Sequence, residues 1–150
     1  MNQEVEILKA MRLNDSGKYT EAKEILDEMP DQIDTPLLMS HYALSKAGSG
    51  VDHKDALALC IKSLKSDIKN PEIYYNLAKI YLLIEEKGLA VKAIRKGLKY
   101  NPVHDELGRL QDELGIRRKP ALGFLSRGGA LNKSIGRLTY GKDKPKSGDE

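Results

Sequence analysis

Tryptophan is absent from these 150 residues, and phenylalanine and cysteine occur once each. The core must therefore be built from aliphatic side chains and some of the seven tyrosines. A lone Cys60 excludes an internal disulfide and any cysteine-cluster metal site, a usage that suits a reducing compartment. No apolar run approaches the ~18 residues needed to cross a bilayer. The amino end, Met1 to Glu6, carries acid where an export signal carries base, so a cytoplasmic location is expected. The three histidines, His41, His53 and His104, have no ligand or nucleophile at motif spacing. Ala47-Gly48-Ser49-Gly50 lacks the Lys-Ser or Lys-Thr of a phosphate loop, and Arg127-Gly128-Gly129 follows no strand. No enzyme activity, no metal and no cofactor is expected.

What is present is charge of two kinds, unevenly placed. Through Gly115 there are 16 Lys and Arg against 19 Asp and Glu, a net of −3, whereas Ile116 to Glu150 carries 9 against 3, a net of +6. A mildly acidic body with a basic appendage implies two segments with different tasks, and a uniformly basic nucleic-acid binder is excluded.

The body reads as all-α. In residues 70–102, Asn70 and Pro71 open a helix on which Ile73, Tyr74, Leu77, Tyr81 and Ile84 share one side. Gly88 is expected to break it. A second helix then aligns Ala90, Ala93, Ile94, Gly97 and Leu98 before Asn101 and Pro102 stop it. Upstream, Thr35-Pro36 starts a helix bearing Leu38, Tyr42 and Ala43, the loop 47–50 closes it, and Leu57, Cys60, Ile61 and Leu64 mark the next. Earlier still, Val5, Leu8 and Met11 form a weak helical pattern, Asp15-Ser16-Gly17 makes a turn, and Ala22, Ile25, Leu26 and Met29 precede Pro30. Leu107, Leu110 and Leu114 define a last short helix that Gly115 terminates. Ala22, Ala56 and Ala90 recur at intervals of 34 residues.

Tyr74, Leu77, Ala78, Tyr81, Ala90, Ile94 and Pro102 together resemble the tetratricopeptide repeat, with Tyr, Ala and Ile where Trp, Gly and Phe are commoner. The resemblance implies an α-solenoid of about three helical hairpins plus a capping helix over residues 3–115, followed by a basic tail over 116–150. In such arrays the first helices of successive units line a groove that receives an extended or helical peptide. Carried over by position, the groove residues are Leu37, Ser40, His41 and Leu44 from the second unit and Tyr75, Asn76, Lys79 and Leu83 from the third. Asn76 ranks first among them because its amide both donates and accepts hydrogen bonds. Family members that bind chaperone tails clamp a carboxylate with basic and amide side chains. The first unit here offers Ile7 and Met11 at those places, which argues against that role.

The expected function is a non-enzymatic adaptor that holds a protein or peptide partner. Its alternatives are a chaperone for a secreted client and tail-mediated binding to RNA or an anionic membrane surface. The tail contacts would be Arg117, Arg118, Lys119, Arg127, Lys133 and Arg137, but nucleic acid is not the expected partner, since only Phe124 and Tyr140 could interleave aromatic rings among them. A short helix is expected at 130–140, with a polar end at 141–150. Three uses of the tail stay open: completing the core, occupying the groove of this or another copy, and meeting an anionic surface.

Overall fold

The computed structural model describes residues 2–116, and every regular element among them is helical. Among the described residues the α-helices are α1 Gln3–Asp15, α2 Tyr19–Asp27, α3 Pro36–Gly48, α4 His53–Ser66, α5 Pro71–Leu83, α6 Lys87–Tyr100 and α7 Asp105–Glu113, with a 3-10 turn at Pro30–Gln32. Consecutive helices pack on one another along the whole series, and α3 lies beside α5. The result is the expected stack of helical hairpins, closed by α7.

Local chemistry sets the helix starts. The Asn2, Thr35, Asp52 and Asn70 side chains accept hydrogen bonds from the first-turn amides of α1, α3, α4 and α5, each cap contributing about 1 kcal/mol. Pro36 and Pro71 sit where their missing N–H costs nothing. The helix ends share a device too. After α1, α3, α5 and α7 the chain turns through a left-handed residue, Gly17, Gly50, Glu85 or Gly115. The following amide reaches back across the turn: Lys18 to Leu13 O, Val51 to Lys46 O, Glu86 to Tyr81 O and Ile116 to Gln111 O. This satisfies a carbonyl that the helix leaves open.

Two boundaries differ from the sequence reading. The break expected at Gly88 falls at Glu85 instead, with φ +62°, and Gly88 lies within the first turn of α6. A non-glycine residue tolerates that conformation here because the turn around it is closed by its neighbours' hydrogen bonds. Gly48, read as part of a loop, is the last residue of α3. Its value is steric: the Tyr19 ring packs so closely that any side chain at position 48 would collide with it.

Small residues let the helices approach. Ala22, Ala56 and Ala90 are each 0% exposed, so the 34-residue spacing marks equivalent close contacts between helices. The main apolar cluster runs from Ala43, Leu44, Ala56 and Cys60 through Ile73, Leu77, Ala78, Ala90 and Ile94 to Leu107 and Ile116. A smaller cluster holds the first hairpin, with Ala10, Ala22 and Leu26 meeting Leu38 of α3. Tyr42 of α3 reinforces this junction by donating its hydroxyl to Asp27 Oδ1 at 2.6 Å. Cys60 is fully buried and its thiol is pushed up to about 12 by that burial, which makes it a small apolar filler. Ile116, assigned from sequence to the tail, is buried with the array, so the packed body extends through it.

Candidate binding cleft

The first helices of the hairpins are joined by a polar seam. Asn76 on α5 donates through Nδ2 to Ser40 Oγ on α3 at 2.9 Å, and Ser40 Oγ in turn donates to Leu37 O at 2.7 Å. Asn14 of α1 donates to the His41 carbonyl at 2.8 Å. Lys79 of α5 then donates its ammonium to the Asn14 carbonyl at 3.2 Å, tying the third hairpin back to the first. This contact spans 65 positions of sequence. It draws the end of α1 toward α5.

The seam corrects four of the expected groove residues. Ser40, Leu44 and Asn76 are fully buried and His41 nearly so; none presents its side chain to an incoming peptide. The reason is the tight packing of α3 on α5, which turns these side chains into the joint between the two helices. Asn76 in particular donates to Ser40, and its Oδ1 is buried with no hydrogen-bond partner among the described residues. Leu37 is half-buried against the main core and also edges a separate hollow beside Ile7, Met11 and Leu38. Leu83, near the end of α5, is 37% exposed but borders neither hollow.

Tyr75 and Lys79 do face a cleft, of about 520 Å³. One end is formed by Asp15, Ser16 and Gly17 at the close of α1, with Tyr19 opening α2. The other is formed by Glu106, Arg109, Leu110 and Glu113 of α7. Sequence reading missed these eight residues, because only the curl of the stack brings the first and last helices to one place.

Inside, the Lys79 ammonium lies 4.9 Å from the Tyr75 ring centre and 5.9 Å from that of Tyr19, within cation–π range of both. Burial pulls Lys79 below the usual lysine range, while Asp15 and Glu72 act in the opposite direction. Asp15 is raised by its partial removal from water and by the charge of Glu106, with Lys79 countering. Tyr75 is pushed up to about 12, first by burial and then by Asp15 and Glu106. Lys79 is already engaged and Arg109 is the other cation of the lining, against Asp15, Glu106 and Glu113.

Next to the cleft, His104 caps α7 through Nδ1, which accepts from Leu107 N at 3.2 Å. Its Nε2 faces Glu72 Oε2 at 3.2 Å, and Glu106 lies 3.7 Å from Nδ1. The fold brings Glu72 to His104 and Glu106, and each of the three is a possible metal ligand. Both ring nitrogens already serve the helix cap and the bridge to α5. No helix among the described residues is long and apolar enough to cross a membrane. The expected tail contacts Arg117, Arg118, Lys119, Arg127, Lys133 and Arg137, and the expected helix at 130–140, lie outside the described residues.

Residues 71–104 match the family model for the tetratricopeptide repeat. The match coincides with α5, α6 and the turn before α7. Comparison with curated proteins and with solved structures finds no match.

Proposed function

For a chain whose residues 71–104 match the tetratricopeptide-repeat model within a stack of helical hairpins, we propose the role of a non-enzymatic protein-interaction module with its binding face at the cleft between α1 and α7. Repeats of this family generally mediate protein–protein interaction. The observation that carries the assignment to this face is the pair Tyr19 and Tyr75 around Lys79, partly buried side chains grouped at the floor of a hollow. Tyrosine rings offer large contact area at little entropic cost and a hydroxyl for orientation, the usual properties of residues that anchor a bound chain.

The groove is shorter than the one expected from the repeats alone, because Asn14 and Lys79 close it between the first and third hairpins. A bound segment therefore rests on the C-terminal ends of α1 and α7 and crosses α5 at Tyr75. Placing a photo-crosslinking amino acid at Tyr75 tests this directly. A discrete crosslinked partner from Tyr75, and none from Lys92 on the exposed side of α6, is the expected result. Equal crosslinking from both positions would remove the cleft as the binding face.

A further inference from the structure

The cleft's carboxylates sit where helix geometry disfavours them. Asp15 is the last residue of α1 and Glu113 the last of α7, each at the negative end of its helix dipole, and both border the same hollow as Glu106. Two helix C-termini and three carboxylates converge there, against Arg109 and a Lys79 already held by the Asn14 carbonyl and two tyrosine rings. Such a site attracts a cation from outside the array. The chain carries a candidate close at hand: after Ile116, which is buried against the core beyond the end of α7, residues 117–140 hold six Lys and Arg and no Asp or Glu. A chain spans up to ~3.5 Å per residue, and Ile116 follows Glu113 of the cleft by three positions, so the sequence beyond it has length to spare.

We propose that the cleft is occupied by this chain's own basic segment 117–140, which competes with any external partner for the same face. The proposal rests on the cleft being the binding face and adds its first occupant. Opposite net charges, −3 through Gly115 and +6 beyond it, draw the two parts together. A partner must displace the tail, so deleting the tail raises partner capture. Of the other strong features, the hollow beside Ile7 and Met11 has no comparable charge or neighbouring segment to name its occupant.

The test uses the full chain with Ser126→Cys carrying a nitroxide; Cys60 is buried and stays unlabelled. Amide signals of Tyr19, Tyr75 and Arg109 should broaden, while those along α4 stay sharp. The broadening should fall at least threefold in about 1 M salt, where the screening length is about 3 Å. It should also fall in Asp15→Asn/Glu113→Gln, whose changes relieve charge at helix C-termini and so leave the fold intact. Absent broadening, broadening centred elsewhere, or insensitivity to both treatments overturns the proposal. So does broadening seen only when labelled and spin-labelled copies are mixed, which would assign the cleft to a second copy's tail. Tyr75 crosslinking to a partner without tail broadening would sink the tail's role and keep the binding face.

Discussion

His41 should make this protein sensitive to mild acid. Its ring is buried between α1 and α5, and the Lys79 ammonium lies close enough to oppose a second positive charge. Burial first, and Lys79 second, lower its pKa from 6.5 to about 4. The unfolded chain therefore takes up this proton near pH 6.5, but the folded chain resists until about pH 4, and stability falls as pH drops through that window. At 1.36 kcal/mol per pKa unit the loss amounts to about 3 kcal/mol. The assay is urea unfolding of the native chain and His41→Gln at intervals from pH 7 to pH 4.5. Every other titratable group is common to the two proteins, so the informative quantity is the difference in slope, about 1 kcal/mol per pH unit between pH 6 and pH 4.5. Any fixed cost of the substitution cancels. Parallel curves, or a His41 ring resonance titrating near pH 6.5 in the folded protein, would refute the reasoning.

Two further substitutions probe the scaffold. Gly97 lies in α6 where an added Cβ would come within 2.6 Å of Leu107 Cδ1 and 2.9 Å of Tyr74 Cβ, so Gly97→Ala should destabilise by about 1–2 kcal/mol despite its better helix propensity; a raised melting temperature would show that α7 packs more loosely than described. Glu85→Gly removes the side chain from the left-handed turn and should stabilise by about 0.5–1 kcal/mol, the relief of strain exceeding the entropy that glycine adds to the unfolded chain. An unchanged or lowered melting temperature would count against strain at that turn.

The seam explains why the sequence misleads at the groove. Position in a repeat predicts which side of a helix a residue occupies, and Tyr75 and Lys79 lie on the side of α5 that borders the hollow. It does not predict how far the neighbouring helix covers that side. Ser40, His41 and Asn76 look like exposed polar residues in a one-dimensional reading because polar side chains are costly to bury without partners. Here partners come from other hairpins: Ser40 for Asn76, and the Asn14 amide, 3.5 Å from His41 Nδ1. A serine or an asparagine carries no sign of a partner 36 or 27 residues away.

Helix type, helix starts, the 34-residue repeat of close contacts and the location of the aliphatic core were all written in the sequence, because capping, periodicity and side-chain size act over a turn or two of one helix. Tertiary structure alone decided where the ends of the array meet. Asp15, Tyr19, Glu106, Arg109 and Glu113 form a cleft with Tyr75 and Lys79 only after seven helices have stacked, since each small rotation between neighbours adds to the last and their sum sets the curl.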